Sequence, residues 1–370
     1  MRMRDAVLTL AGLLLVMASA QPLAAAEYPL HDAARAGDVK RVDKLLADGA
    51  DVKAADKYGR TPLHLAKTRA VAERLLARGA TVDATNKDGK TPLYYAAAGG
   101  ATDVAALLIE KGADVHRKGS DGDAPLHKAA YYGRNDVAAL LLAKGADANA
   151  PGSGGDTPLF YAATRPIAEA LLAKGARLDA RNSDGYTPLH RAAFRSRHEV
   201  VALYIEKGAD VNALNKFKQT PLHYPGSKKV AELLVAKGGD VNARDQSGWV
   251  PLHRAVHGDL ILFLIEKGAQ VDVRNDRGET PLHNHTDSGY HEAVAALIEK
   301  GANVNTANNR GDTPLHEAVG DGRRELVELL LAKGANANAR NKAGKTPLAL
   351  AADKGRKEIV ELLGKRGAKK

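Results

Sequence analysis

Cysteine is absent from the 370 residues, and aromatic residues make up only 4% of them, with a single tryptophan. The lack of cysteine excludes disulfide bridges, a catalytic thiol and a lipid attached to cysteine. Apolar residues still reach 44%, mostly alanine and leucine, which is enough for a core of closely packed helices. No apolar run reaches the about 20 residues that a transmembrane helix needs. We therefore expect a mature protein that makes no membrane contact.

The first 26 residues differ from the rest of the chain. Residues 1–4 are basic, residues 6–18 are mostly apolar, and small-residue cleavage patterns end at Ala20 and Ala26. These are the features of a secretory signal peptide, with a retained anchor as the alternative. Cleavage after Ala26 is preferred over Ala20, because the first repeat then begins almost at once. We expect a periplasmic or secreted protein, and export without cysteine is compatible with a bacterial periplasm.

A tetrapeptide, Thr-Pro-Leu-His or a near copy of it, returns along the whole chain at intervals of 33 or 30 residues. A fixed period of this size indicates stacked copies of one supersecondary unit. Residues 27–370 are therefore expected to form one continuous solenoid domain. After a degenerate copy near Tyr28, the repeats begin at Thr61, Thr91, Ala124, Thr157, Thr187, Thr220, Val250, Thr280, Thr313 and Thr346.

The sequence of each unit predicts two helices and a turn. In the tenth unit, Thr313 is expected as an N-cap whose hydroxyl accepts from a backbone N–H, and Pro314 suits the first helical position. Gly322 ends this short helix. A second helix with a broad apolar stripe ends at Gly334. The polar residues 336–345 then predict a hairpin-like finger.

The pattern Thr-Pro-Leu-His-x-Ala-Ala-x-x-Gly, followed by Val-x-x-Leu-Leu-x-x-Gly-Ala-Asp-Val-Asn-Ala, resembles the ankyrin repeat. About eleven copies cover residues 28–368. The resemblance implies an all-α solenoid of stacked helix-turn-helix repeats with β-hairpin-like fingers, whose concave face binds a protein partner. We expect a monomeric, non-enzymatic scaffold without a cofactor. The alternative is a secreted effector, or an inhibitor or immunity protein, that occludes a target enzyme.

The formal net charge of +10 does not by itself indicate nucleic-acid binding. Most repeats place one cation at the end of the second helix, where it faces the negative end of the helix dipole. These ten cations equal the whole net excess, so we expect no nucleic-acid partner. They are Arg78, Lys111, Lys144, Lys174, Lys207, Lys237, Lys267, Lys300, Lys333 and Arg366.

Histidine recurs as the fourth letter of the tetrapeptide, and the resemblance implies that it forms hydrogen bonds between neighbouring repeats. Eight of the thirteen histidines stand there: His31, His64, His127, His190, His223, His253, His283 and His316. One stretch is dense in histidine and has a metal site as one interpretation, but a chance surface cluster is preferred and no metal is expected. It contains His253, His257, His283, His285 and His291. No catalytic residue is predicted, because no nucleophile motif or acid/base pair stands out.

The few aromatic residues fall mostly outside the core positions, in finger tips or on the first helices. Tyrosine and tryptophan are enriched in binding hot spots. By the geometry of the family, ten of them should lie on or near the concave side, and we predict that they contact the partner. The alternative is that they only cover alanine-rich packing. The ten are Tyr58, Tyr95, Tyr131, Tyr132, Tyr161, Tyr186, Phe194, Phe217, Tyr224 and Trp249.

Four repeats have 30 residues instead of 33, namely those that begin at Thr61, Thr157, Thr220 and Val250. Each is predicted to lose three residues near the end of its first helix. In the third, Pro225 is expected to truncate that helix further. The ninth repeat has His285 and Thr286 in place of two alanines. We hypothesise that repeats seven to nine are the local weak point of the stack and a candidate recognition site.

Overall fold

The computed structural model describes residues 27–368, so the predicted signal peptide and its cleavage sites lie outside the described residues. Over this range the chain forms eleven repeats of paired helices, with no strand. The predicted all-α solenoid of helix-turn-helix repeats is confirmed. Between residues 27 and 368, every helix is too short or too polar to cross a bilayer.

Every repeat contributes a first helix and a second helix. The first helices are Pro29–Ala36, Pro62–Leu65, Pro92–Gly99, Pro125–Tyr131, Pro158–Tyr161, Pro188–Phe194, Pro221–His223, Pro251–Arg254, Pro281–Ser288, Pro314–Gly320 and Pro347–Asp353. The second helices are Val39–Ala47, Arg69–Ala77, Thr102–Glu110, Asn135–Ala143, Arg165–Ala173, His198–Glu206, Lys228–Ala236, Gly258–Glu266, His291–Glu299, Arg324–Ala332 and Lys357–Lys365. A further single turn, Ser153–Gly155, lies in the fourth finger.

The four short repeats have first helices of only one turn, as their length predicts. Three of these helices have four residues, and Pro221–His223 has three. The prediction that Pro225 truncates its helix further therefore accounts for one residue at most. The missing three residues of the repeat, not the proline, set the length of the first helix.

The core runs along the stack as one continuous layer between the two rows of helices. First helices pack on neighbouring first helices, and second helices pack on second helices. Leucine and alanine fill the layer, and Leu93, Leu126 and Leu141 are almost fully buried. Burying one leucine side chain stabilises the fold by about 2 kcal/mol. Each repeat therefore depends on its neighbours to cover its apolar faces.

The ten cations assigned to helix ends are each the C-cap residue of a second helix. A positive charge at this position stabilises the helix by about 0.3–1 kcal/mol through the helix dipole. Most of the net positive charge is thereby explained by helix termination.

The repeated histidine joins the start of its first helix to the finger at the end of the same repeat. The hydrogen bond that the resemblance placed between neighbouring repeats therefore lies within one repeat, with the repeats counted from the tetrapeptide. In the tenth repeat the backbone N–H of Thr313 donates to Nδ1 of His316 at 3.2 Å, and the ring Nε2 reaches the carbonyl oxygen of Lys345 at 3.1 Å. The same bridge to the following finger recurs for His31, His64, His127, His190, His223, His253 and His283, at 2.7–3.2 Å. Because Nδ1 accepts and Nε2 must donate, the bridging ring is neutral.

Thr313 and His316 form a capping box at the start of this helix, and the threonine hydroxyl also lies 3.0 Å from Nδ1 of His316. Thr187 makes both contacts as well: its hydroxyl accepts from the N–H of His190 at 3.5 Å and lies 2.8 Å from the Nδ1 of that ring. Where no histidine follows, threonine caps the backbone alone, as Thr91 does for the N–H of Tyr94 at 3.2 Å. The histidine thus adds a connection from the helix start to the finger.

Burial lowers the pKa of most bridging imidazoles, since a charged ring would lose its hydration. The pKa falls to about 4 for His190 and His253, and it is lowered for His64, His127, His223, His283 and His316 as well. The bridge is consequently made by the uncharged ring at neutral pH.

Acidification should destabilise the stack between about pH 6.5 and 4. The unfolded chain binds more protons than the folded chain there, because histidine has a pKa near 6.5 when unfolded and about 4 at His190, His253 and His285. Near pH 4, each of these rings would lower the free energy of unfolding by about 3 kcal/mol relative to neutral pH. We expect the thermal midpoint, followed by circular dichroism, to fall steadily across this window.

Return to pH 7 before melting is the control, since it separates titration from irreversible damage. Glu317 acts in the opposite direction, because burial raises its pKa to about 7. The variant Glu317→Gln should therefore show a steeper fall than the parent below pH 7. A midpoint that is constant from pH 6.5 to 4.5 in both proteins would contradict the proposed role of the neutral rings.

The unusual residues of the ninth repeat cap the short helix of the eighth. Nδ2 of Asn284 donates to the carbonyl oxygen of His253 at 2.7 Å, and Nε2 of His285 bonds to that of Leu252 at 3.1 Å. A one-turn helix leaves these carbonyls without intrahelical partners. Nδ1 of His285 and the hydroxyl of Thr286 are buried without a partner of their own. That repeats seven to nine open first stays a prediction.

Candidate partner-binding site on repeats six and seven

Eight of the ten predicted contact residues fall in repeats four to seven, two in each repeat. Tyr58 and Tyr95 lie apart from them near the N-terminal end of the stack. Tyr58 is exposed and has the guanidinium of Arg60 over its ring at 4.7 Å. Tyr95 is half-buried, packs on His64 and accepts a hydrogen bond from Asn86 at 3.0 Å. Tyr95 therefore serves the packing between repeats.

Three tyrosines meet in repeats four and five. The ring of Tyr131 lies edge-on to Tyr132 at 5.0 Å and to Tyr161 at 5.9 Å. The guanidinium of Arg195, from repeat six, stacks over Tyr131 at 5.2 Å. Tyr132 is 52% exposed, whereas the other two rings are half-buried. This group forms the N-terminal border of a larger aromatic surface.

The second group surrounds a cavity between repeats six and seven. Phe194, at the end of its first helix, lies edge-on to Tyr224 at 6.2 Å. Together with Tyr186 from the preceding finger, they line a cavity of about 360 Å³. Phe194 is 57% exposed, the largest exposure among the exposed large hydrophobic side chains of residues 27–368. The volume is that of a small ligand pocket and can accept large apolar side chains.

A polar chain holds the half-buried rings of this cavity in place. The hydroxyl of Tyr186 donates to Oε1 of Gln219 at 3.4 Å, and Nε2 of Gln219 donates to the hydroxyl of Tyr224 at 3.3 Å. The guanidinium of Arg254 lies over the rings of Tyr224 at 4.7 Å and Trp249 at 5.0 Å. Burial raises the pKa of Tyr186, so its hydroxyl keeps the proton that it donates. The pocket wall is consequently preorganised.

Phe217 lies at the tip of the next finger and is 37% exposed. The backbone N–H of Gln246 donates to its carbonyl oxygen at 2.9 Å, which joins this finger to the following one. The ring is thus presented on a loop that is tied to its neighbour. Phe194 and Phe217 together place two exposed phenyl rings on one repeat.

Two residues of the sixth repeat adopt the left-handed backbone region although they are not glycine. Lys218 has φ of 58° and Ser196 has φ of 57°, and they are the only such residues in the described chain. All other fingers, and the end of the first helix in all other 33-residue repeats, have glycine at the matching place. A side chain in this region costs about 1 kcal/mol or more, and such strain is concentrated at functional sites.

Sequence reasoning missed Lys218 and Ser196. Their signal is visible when the repeats are aligned with one another, because each interrupts an otherwise invariant column of glycines. Lys218 directly follows Phe217, and Ser196 comes two residues after Phe194. Local strain and exposed phenyl rings therefore coincide on the sixth repeat.

The dense histidines are dispersed by the fold. His253 and His283 bridge to the carbonyl oxygens of Glu279 and Asp312, and His285 is buried against Leu252. His257 precedes a second helix, and His291 begins the next one. Throughout residues 27–368, no group of three or more His, Asp or Glu side chains could hold a metal ion. The expectation of a surface cluster is wrong, because His253, His283 and His285 are buried.

The repeat architecture of paired helices and fingers defines a class of proteins that present a binding surface. A family model for ankyrin repeats in three copies matches residues 67–152, 150–215, 196–275, 252–341 and 308–370. A model for ankyrin repeats in many copies matches residues 30–69. The chain belongs to the ankyrin repeat family, whose domains are protein-binding scaffolds.

Two solved structures are similar to this chain. The human ASB11 ankyrin repeat domain is 29% identical, covers 57% of this chain and 98% of its own, and has a TM-score of 0.51. The ankyrin repeat domain of Bcl-3, described as a unique member of the IkappaB protein family, is 27% identical. It covers 57% of this chain and 99% of its own, with a TM-score of 0.46. No curated protein matches the sequence.

Replacing Lys218 by glycine should stabilise the protein, because glycine adopts the left-handed region without steric strain. We expect a gain of about 1 kcal/mol, partly offset by the greater freedom of glycine in the unfolded chain. The urea midpoint of unfolding measures the change. Lys216→Gly is the matched control, since Lys216 lies in the same finger at negative φ and should gain nothing. Equal or lower stability of the Lys218→Gly protein would refute the strain at this position.

Proposed function

We propose that this protein is an exported, monomeric and non-enzymatic scaffold that captures a protein partner on repeats six and seven. The observation that carries the proposal is that the sixth repeat has two exposed phenyl rings and two strained non-glycine residues, and that it borders a pocket of about 360 Å³ shared with its neighbours. A typical repeat of this chain would keep glycine at both strained positions. The sixth repeat therefore departs from the most stable choice where its aromatic side chains are exposed.

The physical basis of capture is preorganisation. The fingers are joined to one another, for example by the N–H of Lys216 donating to the carbonyl oxygen of Asp184 at 3.0 Å. The pocket walls are held by hydrogen bonds and stacked guanidinium groups. Docking on such a surface orders few additional side chains, so little of the contact energy is lost to entropy. Phenyl and phenol rings also contribute large contact area for few rotatable bonds.

Replacing Phe194 and Phe217 together by alanine should weaken capture of the partner at least tenfold. Both rings are exposed, so their removal leaves the core intact and changes stability little. The measurement is affinity capture with the immobilised protein, followed by titration of the retained protein. Tyr58→Ala is the matched control, because Tyr58 is similarly exposed on a distant finger. Undiminished capture by the double variant would remove repeats six and seven as the site.

Export is supported by the basic and apolar residues 1–18 and by the small-residue patterns that follow them. We expect the mature protein to begin after Ala26 or Ala20 and to be found in the periplasm or the medium. N-terminal sequencing of protein from fractionated cells checks both points. Full-length protein in the cytoplasmic fraction would contradict export without affecting the binding proposal.

A further inference from the structure

We propose that the surface on repeats six and seven takes an acidic protein segment that carries a large apolar side chain. This inference rests on the proposed function and adds the chemistry of the partner. The apolar side chain enters the cavity between Phe194 and Tyr224, and carboxylates of the same segment meet the cations around it. The juxtaposition of exposed rings with exposed cations carries the argument.

Three cations flank the two exposed phenyl rings. Lys216 and Lys218 stand on either side of Phe217 at the finger tip, and Arg195 follows Phe194 at the end of its helix. All three are exposed, and none forms an ion pair with another residue in the described range. The guanidinium of Arg195 rests on the ring of Tyr131, which leaves its charge uncompensated.

The carboxylates near the cavity do not cancel this charge. Two of them are buried and already paired, Asp156 with Arg191 at 2.7 Å and Asp245 with Arg254 at 3.0 Å. Asp184 is exposed and lines the cavity without an ion pair in the described part of the chain. Three uncompensated cations against one carboxylate favour an anionic partner, since complementary charge guides association and suppresses wrong partners.

Lys218 adds a positive charge at a position where lysine is unfavourable for the backbone. The matching residue of all other fingers is glycine, which fits the left-handed backbone without strain. The tenth finger has Lys342 at the position of Lys216 but keeps Gly344, in the left-handed region, at the position of Lys218. A lysine at position 218 therefore adds a cation beside Phe217 at a cost in stability, which is the pattern of a residue retained for binding.

The test uses the purified protein and fluorescein-labelled peptides of equal length with the same central Leu-Phe pair. One peptide has glutamate on both sides of the pair, one has lysine and one has glutamine. A labelled single-stranded oligonucleotide is the fourth probe, because phosphates and stacked bases would also suit lysine and phenylalanine. Fluorescence anisotropy is measured at low and at high salt.

We expect the glutamate peptide to bind about tenfold more tightly than the glutamine peptide at low salt, with the difference reduced at high salt. Lys216→Ala combined with Lys218→Gly should remove most of this preference, even though Lys218→Gly stabilises the fold. Lys342→Ala is the matched control, since Lys342 occupies the finger position of Lys216. It should leave binding unchanged.

Equal or tighter binding of the lysine peptide, or tighter binding of the oligonucleotide, would overturn the acidic-segment proposal. So would binding of none of the peptides, or an equal loss in the Lys342→Ala control. These outcomes do not decide whether the protein captures a partner on repeats six and seven, which the double variant of Phe194 and Phe217 tests separately. If a captured protein still depends on Phe194 and Phe217, the scaffold function stands and only the chemistry assigned to the partner is wrong.

Discussion

The neutral imidazole that joins the start of a first helix to the finger of its repeat is the interaction on which the rest of the structure depends. His316 accepts from the backbone of Thr313 through one nitrogen and reaches Lys345 through the other. One side chain thus fixes the start of its own helix and the position of the next finger. The bridge works only in a dry and uncharged form, because a protonated ring would lose its acceptor. Repetition of this bridge aligns the fingers and so builds the surface that they present.

The short repeats show how the stack tolerates irregularity. A one-turn first helix ends early and leaves carbonyl groups that the following repeat must satisfy. Behind the fifth repeat, the hydroxyl of Tyr204 donates to the carbonyl oxygen of Leu159 at 2.6 Å. Behind the eighth, Asn284 and His285 donate to carbonyl oxygens in the same way. In these two places, unusual residues of one repeat satisfy carbonyl groups of the shortened repeat before it.

The sixth repeat departs from the pattern in a different way. Ser196 and Lys218 add side chains where glycine would be more stable, and neither caps a shortened neighbour. Both are close in sequence to exposed phenylalanines, and Phe194 lines the cavity that Tyr186 and Tyr224 complete. Stability is thus lowered in the one repeat that exposes two phenyl rings. A rigid stack tolerates such a repeat because its stability is shared with the neighbours.

The sequence by itself determined the repeat period, the helix pairs and the helix ends, because these depend on local spacing and backbone preference. The bridging role of histidine was implied by the resemblance to ankyrin repeats. The sequence also indicated which aromatic residues avoid the core. Only the tertiary structure decided that Phe194, Tyr186 and Tyr224 surround one cavity while Tyr95 packs on a neighbouring repeat. It likewise showed that His285, an irregularity in the sequence, caps the short helix of the eighth repeat together with Asn284. These contacts join residues about thirty positions apart, and their geometry depends on the stacking of whole repeats, which no local pattern contains.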